Sequence, residues 1–243
     1  MTEDSYKYRI ILNILIMMVF AHAQSWAKTY IVCIGIQNYP KQTNDLTLPV
    51  RDAVAIKKLY EKKGDVVSVL LTDKQATRAN IVNAMRSLFH KSKPNDVVVL
   101  FFSGHGAKGA LRAYDDYLNY RVVWDCLLSA RARLCYALID ACHSGSMRRK
   151  DIISKLKGKN IMFFLSSRSG ETSIEDIRLK NGIFTTSLIQ GLGGLADLNK
   201  DFNITAKELY DFVSKNVKRI SNGAQHPVMW GDFDDEMSIM KWK

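Results

Sequence analysis

Two short apolar runs in this chain each end in a residue able to move a proton or form a covalent bond. Val97 to Phe102 runs into Ser103-Gly104-His105-Gly106, and Cys135 to Ile139 runs into Asp140-Ala141-Cys142-His143-Ser144-Gly145. Apolar runs of this length, closed by glycine, have the pattern of buried strands. In open α/β sheets ligands meet the protein at the carboxyl ends of strands, so two adjacent parallel strands would present His105 and Cys142 side by side. A thiol with an ordinary pKa near ~8.5 is mostly protonated at neutral pH, and a neighbouring imidazole can take that proton and leave a reactive thiolate. The backbone N–H groups of Gly106 and Cys142 can then face a developing oxyanion, each worth roughly 3–4 kcal/mol of barrier. The glycines flanking His105 are expected to turn the backbone sharply and to let a substrate chain come close.

Ser103-Gly104-His105-Gly106 and Asp140-Ala141-Cys142-His143-Ser144-Gly145 resemble the two signature segments of the caspase-like cysteine peptidases, and the second is most similar to the metacaspase form. The resemblance extends from about Thr29 to Met240, includes Asn38-Tyr39 after the first strand, and suggests an exported member of bacterial type. It implies a cysteine endopeptidase with Cys142 as nucleophile and His105 as base. It also implies an α/β fold of the caspase-like three-layer kind, a mostly parallel central sheet with helices on both faces. Caspases carry Gln-Ala-Cys with the histidine about 50 residues upstream; here Asp140 stands in the Gln position and the interval is shorter. Metacaspase resemblance carries an acidic pocket for the P1 side chain onto Asp140, Ser103 and Asp52. Asp140 lies two residues before the nucleophile on an alternating strand, hence on the nucleophile's side of the sheet. A pair of carboxylates favours arginine or lysine at P1 and repels aspartate, so protein or peptide substrates with basic residues are the expected partners.

The elements that must position these residues are legible from periodicity. Strands are expected over 29–36, 66–71, the run before His105, the run before Cys142 and 160–166. A helix is expected over 48–63 with Val50, Val54, Leu59 and Tyr60 inward, ending at Gly64. Another is capped by Thr77 and carries Ile81, Met85, Leu88 and Phe89. Further helices are expected over 122–130, 184–192 and 205–220, and the stretch from Gly109 to Tyr120 reads as a loop. Alternating strands and helices with short links argue for a mostly parallel sheet.

Residues 1–27 read as a secretory signal, with cleavage after Ala23 or Ala27, leaving a peptidase domain over 28–243. Lys7 and Arg9 precede an apolar run from Ile10 to Phe20, interrupted by Asn13, and small residues follow at the cleavage sites. The run is shorter than the ~20 residues of a comfortable membrane span. The expected location is therefore periplasmic or secreted, with an uncleaved anchor as the alternative and no stable span after cleavage. Leader removal takes equal numbers of acidic and basic residues, so the net charge of +11 stays with the mature part. The lysines and arginines are scattered, without a basic helix or interleaved aromatics, which argues against a nucleic-acid partner. Four cysteines in an exported chain can pair, yet Cys33 and Cys135 fall inside apolar strands and Cys142 is needed as a free thiol.

Other signals have plainer readings. Gly104-His105-Gly106-Ala107-Lys108-Gly109 matches the dinucleotide fingerprint in form, but no helical period follows it. His143 adjoins the cysteine and points elsewhere, and His226 belongs to a turn before Pro227. Asp197, Asn199, Asp201, Asn203 and Glu208 have the oxygen spacing of a calcium loop. Against that stand Phe202, where such a loop needs glycine, and the capping box Thr205-Ala206-Lys207-Glu208. An Asx-rich turn is the favoured reading, and no cofactor is expected. The rival to an enzyme is a catalytically silent interaction module on the same fold; intact His105 and Cys142 favour the enzyme.

Overall fold

The computed structural model describes residues 27–40, 45–148, 150–170 and 180–242, so the expected leader and its cleavage sites lie outside the described residues. Six strands form the main sheet: β1 (Thr29–Gly35), β2 (Val66–Thr72), β3 (Val97–Ser103), β7 (Leu134–Asp140), β8 (Ile161–Leu165) and β10 (Val228–Asp232). Their spatial order is β10-β8-β7-β3-β1-β2, with all neighbours parallel except the β10 edge, which runs antiparallel to β8. The mostly parallel α/β sheet expected from the strand–helix alternation is the one found.

Burial explains the order. Every residue of β1, β3 and β7 is buried, which requires cover on both faces and therefore a central place in the sheet. The edge strand β2 is mostly half-buried. Side chains alternate between the faces along each strand: Val98, Leu100 and Phe102 enter one apolar core, while Val97, Val99 and Phe101 enter the other. On the second face lie α1 (Pro49–Lys63), α5 (Ile183–Gln190) and α6 (Ala206–Ile220), which contribute Ile56, Phe184 and Val213. On the first face lie α2 (Arg78–Phe89), α3 (Tyr120–Leu128) and α4 (Lys150–Leu156), which contribute Met85, Trp124 and Leu156. This is a three-layer sandwich.

Two local expectations are corrected. In α1 the buried face is Asp52, Ala53, Ile56 and Tyr60, while Val50, Val54 and Leu59 are only half-buried. The rotation follows from Gly35 at the end of β1. A side chain there would collide with the Pro49 carbonyl and come within 2.9 Å of the Ala53 Cβ, so the missing Cβ lets the first turn of α1 lie on the strand end and turns Asp52 inward. The stretch expected as a loop after His105 is instead a small antiparallel sheet: β4 (Gly106–Ala107), β5 (Ala110–Arg112) and β6 (Tyr117–Asn119). Gly109, at φ +89, closes its tight β4–β5 turn, a conformation that favours glycine. A strand where the dinucleotide motif needs a helix removes that reading.

The segment 197–208 folds onto its own backbone. The Asp197 carboxylate accepts N–H bonds from Asp201 at 3.2 Å and Phe202 at 2.9 Å, and Asp201 accepts one from Asn203 at 2.8 Å. Glu208 is committed to the capping box of α6, where it accepts the Thr205 N–H at 3.0 Å. Asn199 accepts the Asp201 N–H at 3.0 Å. Phe202 takes the left-handed conformation, φ 63, that the loop demands. The strand β9 (Asn203–Thr205) then pairs with β11 (Ser238–Lys241). No group of three or more His, Cys, Asp or Glu among the described residues is arranged to hold a metal ion. No described helix is long and apolar enough to cross a membrane.

Candidate active site

Strand register sets the geometry. β3 and β7 are adjacent and parallel, with Ser103 level with Asp140, and Gly35 of β1 level with Ser103 on the other side. His105 and Cys142 each follow two residues later, so both leave the sheet at the same edge and the same height. The two exit loops touch: a Cβ on Gly106 would collide with the Cys142 carbonyl and sit 3.2 Å from the Ala141 Cβ. The glycines beside His105 therefore make room for parts of the protein itself. Gly106 admits the Cys142 backbone, and Gly104, at φ +157, admits the Tyr39 hydroxyl, which a Cβ would meet at 2.7 Å.

The cysteine loop is held from β8. The Ala141 N–H donates to Ser166 Oγ at 3.1 Å, the Ser167 hydroxyl donates to the Ala141 carbonyl at 3.3 Å, and the Gly145 N–H donates to the Ser167 carbonyl at 3.0 Å. Gly145 has no room for a side chain, since a Cβ would lie 2.6 Å from the Ser169 nitrogen. His143 takes φ 56, and its Nδ1 lies 2.9 Å from the Ser169 carbonyl, so it is committed away from its neighbour. All four cysteines are free, but Cys33, Cys126 and Cys135 are buried while Cys142 is partly exposed. Burial pushes the Cys135 thiol up to about 12 and raises the other two buried thiols as well. Thiols so raised are inert at neutral pH, which leaves Cys142 as the accessible one.

The acidic residues come together beneath this edge. Ser103 and Asp140 occupy the strand positions that face α1 and α5, continuing the alternation of Val99-Phe101 and Tyr136-Leu138. Asp52 of α1 meets them, accepting the Ser103 hydroxyl at 2.8 Å, the Asn181 side-chain amide at 2.8 Å and the Gly182 N–H at 3.0 Å. Asp140 accepts both the hydroxyl of Thr185, at 2.8 Å, and its N–H, at 3.3 Å. A Cβ on Gly182 would lie 2.9 Å from Asp140 Oδ2 and 3.3 Å from Asp52 Oδ2. The two carboxylates thus converge on the start of α5 and satisfy N–H groups that a helix N-terminus leaves open. Both are buried, 2% and 7% exposed. Burial, then the nearby Asp140 charge, pushes Asp52 up to about 7, against the pull of its hydrogen bonds from Asn181, Ser103 and Gly182.

Asn181, Thr185, Ser166 and Tyr39 were not foreseen as site residues. Their chemistry is ordinary, and only the fold brings them to the strand ends. A Pro-flanked Asn-Tyr after a glycine-closed strand was the one local signal that could have marked Tyr39.

Comparison with known proteins decides the family. A model of the caspase domain matches residues 28–237.

The chain belongs to the caspase domain family. Among its relatives, Metacaspase-1 of Eremothecium gossypii is 29% identical over 202 residues, covering 70% of this chain and 44% of the fungal protein. Metacaspase-1A of Neurospora crassa is 26% identical over 254 residues, covering 90% of this chain and 53% of the relative. Metacaspase-1B of Aspergillus fumigatus is 31% identical over 158 residues, or 52% of this chain and 38% of the relative. The chain spans about half or less of the length of these curated relatives. A crystal structure of a Geobacter sulfurreducens protein superposes with a TM-score of 0.67 at 17% identity, covering 89% of this chain and all of the other, and shows the shared fold. Caspase-domain membership is the family expected from the His105 and Cys142 segments.

Proposed function

We propose that this caspase-domain protein is a cysteine endopeptidase that cleaves after arginine or lysine. The observation that carries the reading is the level exit of His105 and Cys142 from adjacent strands, above a buried pair of carboxylates. In the proposed reaction the Cys142 thiol gives its proton to His105, and the thiolate sulfur bonds to the scissile carbonyl carbon. The oxyanion faces the N–H groups of Gly106 and Cys142. Collapse breaks the C–N bond and the leaving amine takes the proton from His105. Water then gives a proton to His105 and attacks the thioester, the C–S bond breaks to release the new carboxyl terminus, and the sulfur takes the proton back from His105 to restore Cys142. Asp52 and Asp140 supply negative charge to the P1 cation, and the neutral Ser103 hydroxyl, bonded to Asp52, completes the polar lining. Arrival of a guanidinium draws the proton off Asp52, because the added positive charge offsets the repulsion between the carboxylates.

A peptide electrophile carrying arginine at P1 tests the reading. It is expected to label Cys142, whereas the same electrophile with aspartate at P1 leaves it unmodified. No labelling by either peptide would favour the alternative, a catalytically silent interaction module.

We propose further that residues 1–27 are an export leader, on the strength of the Ile10–Phe20 run and the small residues after it. The mature protein is expected to begin at Gln24 or Lys28. An N-terminal sequence starting at Met1 on protein recovered outside the cytoplasm would instead favour an anchored form.

A further inference from the structure

His105 stands in the gap between β3 and β4, outside both strands, and is reached from the small sheet through Arg112 of β5. Its backbone is held by other means. The Arg112 N–H donates to the His105 carbonyl at 2.9 Å, and the His105 N–H donates to the Tyr39 hydroxyl at 3.0 Å. That hydroxyl donates onward to the Arg112 carbonyl at 3.3 Å. One phenolic oxygen therefore closes a ring of hydrogen bonds around His105, acting as acceptor and donor together, which a hydroxyl can do and a hydrocarbon edge cannot. The Tyr39 ring also lies against the imidazole, with centroids 5.0 Å apart and planes tilted by 38°. Arg112 sits over the same ring at 5.8 Å and over Tyr117 at 5.1 Å.

Tyr39 is itself anchored. Asp73 accepts the N–H groups of Gln37 at 2.9 Å and Asn38 at 3.0 Å, and Asp45 accepts the Tyr39 N–H at 3.3 Å. The side chain is 6% exposed, and burial raises its hydroxyl above the ordinary tyrosine range, so it stays protonated. The missing Cβ of Gly104 leaves room for the hydroxyl beside the backbone before His105.

We propose that Tyr39 is the positioning residue of the site: its hydroxyl fixes the His105 main chain and its ring fixes the plane of the imidazole facing Cys142. This rests on the reading of His105 as base under Proposed function. Tyr39 is not placed on the substrate or the thiol and acts through His105.

Tyr39→Phe removes one oxygen and keeps the ring. It is expected to lower kcat on an arginine peptide by about ten- to a hundredfold, the scale of a buried donor left unpaired and a base slightly misplaced. KM is expected to stay within about twofold, since the P1 carboxylates are untouched. Alkylation of Cys142 by iodoacetamide should slow, and the His105 amide proton, followed by NMR, should lose its hydrogen-bonded shift. Should Tyr39→Phe fail to fold, 3-fluorotyrosine placed at position 39 keeps the shape and weakens the acceptor, and a smaller fall in kcat with the same KM is expected. Wild-type kcat and an unmoved His105 amide in the folded variant would overturn the proposal, as would a raised KM at unchanged kcat. His105→Ala run in parallel separates the two ideas. If it retains full activity the dyad itself fails, whereas loss in His105→Ala with none in Tyr39→Phe removes only the role of Tyr39.

Discussion

Cys142→Ala is expected to lower peptide hydrolysis by roughly four to six orders of magnitude, to the level left by binding and oxyanion stabilisation alone. His105→Ala should fall by a similar amount, because residues that act as one unit each cost nearly the whole effect when removed. Neither change should unfold the protein. Cys142 is partly exposed, and the hydrogen bonds that hold its loop run through the backbone of Ala141 and Gly145 to Ser166 and Ser167. Melting temperatures close to wild type, with hydrolysis of an arginine peptide lost, are the expected pair of measurements. Substantial turnover by Cys142→Ala would show that the thiol is not the nucleophile.

The second large effect is expected at the carboxylate pair, and it has opposite signs in activity and stability. Asp140→Asn keeps the shape and the acceptor for Thr185 but removes one charge. Preference for arginine over a neutral residue at P1 should drop by roughly one to two orders of magnitude, as expected for loss of a charge-assisted hydrogen bond. Asp52→Asn should reduce the same preference yet stabilise the fold at neutral pH. The sign follows from linkage. Asp52 is raised from 3.8 to about 7 by burial and by the Asp140 charge, so between those values the unfolded chain has released a proton that the folded chain keeps. Unfolding therefore becomes easier as pH rises from about 4 to 7 and levels off above, a loss on the order of 4 kcal/mol from this group. In Asp52→Asn that slope should disappear, and denaturant midpoints at pH 8 should exceed those of the wild type. Substrate selectivity should follow the same titration: the arginine-to-norleucine ratio of kcat/KM falls as pH drops through about 7. A pH-independent ratio, or an Asp52→Asn variant less stable than wild type at pH 8, would place the carboxylate outside the pocket.

The carboxylates also serve the fold, since they accept N–H groups at the start of α5. A helix N-terminus and the proposed P1 cation would make different demands on one acid pair. The positive end of the helix favours ionised oxygens, while burial and the nearby Asp140 charge raise the Asp52 carboxyl. Under the proposed function, two acids left buried at this point give up stability for a site that can respond to an arriving charge.

What the amino-acid order determined by itself is local and periodic. Short continuous apolar runs rich in β-branched and aromatic residues and closed by glycine or polar turns have the pattern of buried strands, so β1, β3 and β7 were legible as strands, while their central place came from the fold. With two parallel strands side by side, the period of two carries Ser103 and Asp140 to one face, and their ends carry His105 and Cys142 to one edge. The capping box at Thr205 and Glu208 marked the start of α6 in the same way, because its hydrogen bonds join residues three apart.

What only the tertiary structure decided is whatever depends on contacts between distant segments. The helical stripe of Val50, Val54 and Leu59 pointed inward by hydrophobicity, but the missing Cβ of Gly35 let α1 settle with Asp52 buried. Residues 109–120 looked like a loop because their strands are only two or three residues long, too short for any period to emerge, and they hold together by pairing with each other. Asn181 and Thr185 read as ordinary polar residues until the fold set them against acids far away in the chain. Tyr39 reaches His105 across the sheet edge through a single oxygen. No pattern along a chain encodes such a contact, because its physical cause is the packing of three strand ends.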